Sequence, residues 1–133
     1  MPALHHLELW VSDPDRAGVE WEWLLGEVGW IADEPTTAPA SSARSWSHVD
    51  GTRLQLESGP DLVETPHDRL RPGINHLALT IDSRELLDRI RSASTEHGWH
   101  ELFADRYPHA GGDDHTALYL ENSEGFEVEI VLA

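Results

Sequence analysis

Two stretches of the chain lie 70 residues apart and follow nearly the same pattern. Residues 6–11 read HLELWV and residues 76–81 read HLALTI, so a histidine opens each run and leucines alternate behind it. This alternation predicts a β-strand with one apolar face. Both runs lead into Asp and Ser and then into a helical pattern, so the chain is predicted to be built twice from one unit.

Each half is predicted to contain a strand, a helix and three further strands. In the first half the strands are expected at residues 4–11, 30–34, 44–49 and 52–57. In the second half they are expected at residues 74–81, 99–104, 115–121 and 126–132. Asp13 and Pro14 are predicted to start the first helix and Gly29 to end it, whereas the second begins at Asp82 or Ser83.

Two segments carry turn-forming residues in place of a periodic pattern. Residues 35–43 are rich in Pro, Thr, Ala and Ser and are predicted to form a surface loop, and residues 58–73 connect the halves. We therefore predict a single α+β domain made of two βαβββ modules, residues 1–66 and 67–133.

Composition excludes several classes of protein and of site. The chain has no cysteine, so a metal would have to be held by histidine nitrogen and by carboxylate or amide oxygen. A net charge of -16 with no lysine argues against a nucleic-acid partner. No apolar run approaches the roughly 20 residues that span a membrane, and the N-terminus lacks the pattern of a signal peptide. A cytoplasmic protein without a membrane partner is expected.

The repeat also aligns four side chains that can bind metal. Gly51 precedes Gln55 by four residues and Gly125 precedes Glu129 by four, so the last strands of the two halves match in register. The first strands contribute the histidines at positions 6 and 76. If the two half-sheets face each other, these four side chains meet: His6, Gln55, His76 and Glu129. Two imidazoles, a carboxylate and an amide oxygen suit Zn, Ni, Mn, Co or Fe(II).

The doubled unit resembles the vicinal oxygen chelate superfamily, which includes glyoxalase I, extradiol dioxygenases, fosfomycin-resistance transferases and bleomycin-resistance proteins. The resemblance covers nearly the whole chain and is most specific at residues 4–13, 73–79 and 121–129. It implies an open cup-shaped sheet with the helices on its outer face, and it implies a homodimer. His6, His76 and Glu129 fall on the family's ligand positions. Gln55 is favoured as the fourth ligand over Glu57, which lies two residues further along the same face.

The resemblance implies a metal-dependent isomerase or lyase of glyoxalase type, acting on a small molecule that chelates the ion through adjacent oxygens. A carboxylate is expected to move the proton, and the candidates are Glu129, Glu8 and Glu127. The side chains expected around the substrate are Trp10, Tyr107, His115 and Tyr119. Two alternatives stay open: a non-catalytic protein that sequesters a ligand, as bleomycin-resistance proteins do, and an extradiol-type dioxygenase with Fe(II).

Overall fold

A computed structural model describes residues 2–34 and 43–133. The chain divides into two compact units, Met1–Thr65 and Pro66–Ala133. Each unit contains one long helix and one four-stranded sheet, and neither sheet is a closed barrel in the part of the chain described. The α+β class is therefore confirmed, and each unit has the predicted order of strand, helix and three strands. The predicted loop at residues 35–43 falls almost wholly outside the described residues.

The first unit forms a sheet in the order β1-β4-β3-β2. Its elements are β1 (His6–Trp10), α1 (Pro14–Glu27), β2 (Ile31–Ala32), β3 (Arg44–Ser47) and β4 (Arg53–Glu57). The first and last strands, β1 and β4, pair in parallel, and the remaining pairs are antiparallel. The predicted strands all occur here, each shorter than expected.

The second unit repeats this arrangement in the order β5-β8-β7-β6. Its main elements are β5 (His76–Ile81), α2 (Arg84–Ala93), β6 (His100–Leu102), β7 (Ala117–Glu121) and β8 (Glu127–Leu132). Short 3-10 helices follow α2 at Ser94–His97 and β6 at Ala104–Arg106. Again the first and last strands, β5 and β8, pair in parallel. His115 lies just before β7 and outside the strand that the sequence predicted for it.

The helix starts follow from capping side chains. The Asp13 carboxylate accepts hydrogen bonds from the backbone N–H groups of Asp15 and Arg16, and Pro14 occupies the first helical position. In α2 the Ser83 hydroxyl accepts from the N–H of Leu86. Both starts were predicted from sequence. Every helix in the two described segments is too short or too polar to span a bilayer.

The apolar face of each sheet is buried and the opposite face carries the polar side chains. In β1 Leu9 is buried, whereas the alternating residues His6, Glu8 and Trp10 are exposed. The registers of the two parallel pairs are equivalent, because Glu8 lies opposite Gln55 in one and Ala78 opposite Glu129 in the other. Gln55 and Glu129 therefore occupy matching positions in the two units.

Candidate functional site

Glu129 is the centre of a polar cluster on the sheet of the second unit. Only 6% of this residue is exposed, and both oxygens of its carboxylate have imidazole partners. Nε2 of His76 lies 3.2 Å from Oε2, and Nε2 of His115 makes a very close hydrogen bond with Oε1. The Tyr119 hydroxyl, on the neighbouring strand β7, also hydrogen-bonds to this carboxylate.

The cluster shifts the pKa of two of its members in opposite directions. Burial alone would raise the pKa of Glu129, but hydrogen bonds from His115 and Tyr119 and the nearby imidazoles outweigh it and lower that pKa. Burial, together with the hydrogen bond to the Glu129 carboxylate, raises the pKa of Tyr119 to about 12. The arrangement thus holds an ionised carboxylate beside a neutral phenol.

A spectroscopic titration tests this arrangement. The chain has two tyrosines, and burial, together with a hydrogen bond to Asp88, also raises the pKa of Tyr107 to about 12. We therefore expect no tyrosinate absorbance near the ordinary value of 10.0, both phenols ionising only as the pH nears 12. Because the neutral phenols are the stabilised forms, their contribution to stability is complete below the ordinary pKa and disappears as the pH rises through the shifted one.

Tyr119→Phe should halve the amplitude of the titration and leave its midpoint unchanged. The measurement is absorbance at the tyrosinate band, with circular dichroism on the same samples to confirm that the protein remains folded. A phenol that ionises near its ordinary pKa in the folded protein would contradict the assigned hydrogen bonds.

A second carboxylate, Glu127, lies opposite His76 on the neighbouring strand β8. Its side chain is 3% exposed, and Oε2 lies 3.4 Å from Nδ1 of His76. Nη1 of Arg69 lies 3.1 Å from Oε1, but without the alignment of a hydrogen bond, so that oxygen has an ionic partner and no hydrogen bond. Nδ1 of His76 also lies 2.8 Å from Oδ1 of Asn75. His76 is therefore held at both ring nitrogens.

The loop between β6 and β7 contributes to the cluster through a glycine. A Cβ at Gly111 would lie 2.5 Å from the Tyr119 hydroxyl and 2.6 Å from Cδ2 of His115, so the loop backbone packs directly on these side chains. Tyr107, which the sequence analysis placed beside the substrate, lies against α2. Its hydroxyl donates to Asp88 on α2 at 2.7 Å, and the Arg91 guanidinium lies 4.1 Å from its ring centroid.

The first unit has its own polar group on the corresponding face. Nε1 of Trp10 donates to Glu8 at 2.9 Å, and Nε2 of Gln55 donates to Glu57 at 3.3 Å. The carboxyl groups of Glu8 and Glu57 are hydrogen-bonded to each other, which raises the pKa of Glu57, whereas the bond from Trp10 lowers that of Glu8. The hydrogen bond between them thus favours the protonated form of Glu57, whereas the Trp10 indole favours the ionised form of Glu8. Nδ1 of His6 lies 2.8 Å from Nδ1 of His5.

The structure thus brings most of the predicted residues into two groups, one in each unit. The first contains Glu8, Trp10 and Gln55 with Glu57, and the second contains His76, His115, Tyr119, Glu127 and Glu129. Within residues 2–34 and 43–133, no group of three or more His, Asp or Glu side chains is arranged to hold a metal ion. Sequence reasoning did not identify Asn75 as a member, although Asn75 stands directly before the predicted strand histidine.

The chain belongs to the Glyoxalase/Bleomycin resistance protein/Dioxygenase superfamily, whose model matches residues 5–119. It is 33% identical to the uncharacterized Bacillus subtilis protein YqjT over 128 residues, which is 96% of this chain and 97% of that protein. The predicted resemblance is therefore confirmed at the level of the superfamily.

Solved structures show the same fold. A Bacillus halodurans protein whose name suggests a glyoxalase is 35% identical, with a TM-score of 0.86 over 98% of this chain and 96% of that one. A Frankia glyoxylase/bleomycin resistance protein/dioxygenase domain is 18% identical, with a TM-score of 0.73 over 100% of this chain and 93% of that one. At that lower identity the likeness concerns the fold alone.

Proposed function

We propose that this protein is a divalent-metal-dependent enzyme of glyoxalase type, an isomerase or lyase whose small substrate chelates the ion through adjacent oxygens. One observation carries the proposal. Nε2 of His76 and Oε2 of the buried Glu129 lie 3.2 Å apart at the positions where the repeat predicted two ligands. Members of the superfamily typically bind divalent metals and small molecules.

The two donors fit such an ion by type and by separation. Two ligand atoms at about 2.1 Å from one metal, at roughly a right angle, lie about 3 Å from each other. Contact of Nδ1 of His76 with Asn75 and Glu127 leaves Nε2 as the ligating nitrogen, as outer partners of metal-bound histidines do. That His6 and Gln55, or Glu57 in place of Gln55, complete the ligand set stays a prediction.

When bound, the ion would act as a Lewis acid for a developing oxyanion on the substrate. Of the carboxylates proposed to move the proton, Glu127 is buried and paired with Arg69. This environment suits a residue that holds His76 in position. Both oxygens of Glu129 have imidazole partners. Glu8 is exposed, and the hydrogen bond from Trp10 lowers its pKa and keeps it ionised, so we propose Glu8 as the general base. His115 and Tyr119 are proposed to orient both Glu129 and the substrate.

Metal analysis tests the proposal. Protein purified without chelator, or reloaded with Zn²⁺, Ni²⁺, Mn²⁺, Co²⁺ or Fe²⁺, should carry about one ion per chain. In His76→Ala the affinity should fall by at least about 100-fold, because loss of a ligand exceeds the 10–100-fold effect of losing an outer partner. His97→Ala, which removes an exposed imidazole after α2, is the matched control and should bind like the wild type.

A wild-type protein that carries no metal and cannot be loaded would contradict the proposal. A ligand-sequestering protein is then the better candidate, since the carboxyl pair of Glu8 and Glu57 beside the half-exposed Trp10 suits a cationic guest. Selective retention of Fe²⁺ with oxygen uptake would favour the extradiol-type dioxygenase. We further propose a homodimer, which sedimentation of the purified protein would test.

A further inference from the structure

Phe103, which directly follows β6, has an unusual backbone conformation. Its φ of 58° and ψ of 35° lie in the left-handed region, and no other described residue apart from glycine has a positive φ. Bulky side chains rarely adopt this conformation because the Cβ crowds the backbone. Such residues cluster at functional sites, where the surrounding structure holds them in place.

The aromatic ring of Phe103 lies beside the Glu129 cluster and is partly open to solvent. It meets Tyr119 edge to face, with 5.5 Å between ring centroids and 81° between planes. Tyr119 in turn hydrogen-bonds to Glu129 and lies edge-on to His76 at 6.4 Å. Phe103 remains 37% exposed, although burial of so large an apolar ring is favourable.

A cation lies over this ring. The guanidinium of Arg106 lies 5.1 Å from the ring centroid of Phe103, within the range of a cation–π contact. Arg106 ends the short helix that Phe103 begins, and its N–H donates to the Phe103 carbonyl at 2.9 Å. The backbone turn and the guanidinium together present the ring on the side of the sheet that carries Tyr119.

We propose that Phe103 is a specificity-determining residue, an apolar wall that selects substrates with an aromatic substituent next to the chelating oxygens. The inference rests on the proposed function, which supplies the chelating oxygens of the substrate. It further specifies that the substituent beside those oxygens is aromatic. A flat ring bound beside His76 and Glu129 would bury the exposed part of Phe103, whereas a methyl group would leave it in water. Aromatic contacts of this kind favour edge-to-face or offset packing.

Binding of two simple α-hydroxy acids tests the proposal. Mandelate and lactate present the same pair of oxygens and differ in a phenyl against a methyl group. Calorimetry on the protein as purified, and after loading with Zn²⁺, should show mandelate binding about tenfold more tightly than lactate. In Phe103→Asn this ratio should fall to about one, since Asn tolerates the left-handed backbone but lacks the ring. Phe103→Tyr should keep the preference.

Leu70→Asn is the matched control, because it removes an apolar side chain that is 79% exposed in the same unit. It should keep the wild-type ratio. The proposal is overturned if neither acid binds the wild type, if both bind equally, or if Phe103→Asn keeps the preference while circular dichroism shows it folded. Metal content is measured on the same samples. If the protein binds one metal ion per chain but shows no preference for mandelate, this inference alone is wrong. If it prefers mandelate but binds no metal, only the metal-dependent function is wrong.

Discussion

Replacing Arg69 with methionine is expected to lower the free energy of unfolding by about 3 kcal/mol, near the lower end of the range for breaking a buried ion pair. Methionine keeps the apolar length of the arginine stem, so the change removes mainly the charge. The Glu127 carboxylate is 3% exposed and lies 3.1 Å from the guanidinium, so the change leaves a buried charge with His76, at 3.4 Å, but without its arginine. Glu121, 3.3 Å from Nε of Arg69, loses the same partner.

A double-mutant cycle separates the charge from the packing. Glu127→Gln in the Arg69→Met background removes the carboxylate charge that has lost its guanidinium, so the double variant should recover about 1–2 kcal/mol relative to Arg69→Met. Arg71→Met is the control, because Arg71 is 73% exposed and pairs with an exposed Asp68, and it should change stability by less than about 0.5 kcal/mol. Urea unfolding is measured on the wild type, the single variants Arg69→Met and Glu127→Gln, the double variant and the Arg71→Met control. Equal effects of Arg69→Met and Arg71→Met would show that the Glu127 pair contributes little.

The second large effect is expected at Gly125, in the turn before β8. Its φ is +88°, and a Cβ there would lie 2.6 Å from the backbone carbonyl oxygen of His67. For alanine, the left-handed conformation alone destabilises the fold by roughly 1–2 kcal/mol. The clash is with backbone, which cannot rotate away as a side chain does. We expect Gly125→Ala to destabilise the protein by about 3 kcal/mol in total.

The repeat supplies a matched control at Gly51. This glycine occupies the same turn of the first unit with a φ of +96°, but a Cβ there meets only the Pro2 ring, at 3.3 Å near the chain terminus. Gly51→Ala should therefore cost about 1–2 kcal/mol, the conformational penalty alone. Thermal or urea unfolding of both variants gives the comparison. A Gly51→Ala variant as unstable as Gly125→Ala would contradict the assigned clash.

The fold was predictable because local signals and the repeat agree. The alternation in residues 6–11 and 76–81 and the caps at Asp13 and Ser83 are all short-range patterns, and they placed the strands and helices within a few residues. The glycines of the two turns gave the register of Gln55 and Glu129, which the strand pairing confirms. Strand lengths were overestimated because alternation continues beyond the last paired residue.

The residues that surround the site were harder to predict from the sequence. Arg69 belongs to a connecting segment without periodicity, and only the folded chain brings it to Glu127. No sequence pattern predicts the conformation of Phe103, since a left-handed backbone at a non-glycine residue is imposed by tertiary structure. Tyr107 lies in a glycine-containing loop and its hydroxyl donates to Asp88, a contact that the sequence does not indicate. Its contact with a substrate stays a prediction. The ligand roles of all four residues, His6, Gln55, His76 and Glu129, stay predictions.

The placement of β8 has a consequence for synthesis on the ribosome. This strand is the last of its unit to be translated, yet it lies between β5 and β7 in the sheet. Until Glu127–Leu132 has left the exit tunnel, β5 lacks its parallel partner and the His76 side chain has no Glu129 beside it. A nascent chain stalled shortly before this point would therefore expose unpaired strand edges, which are the segments that chaperones protect from aggregation.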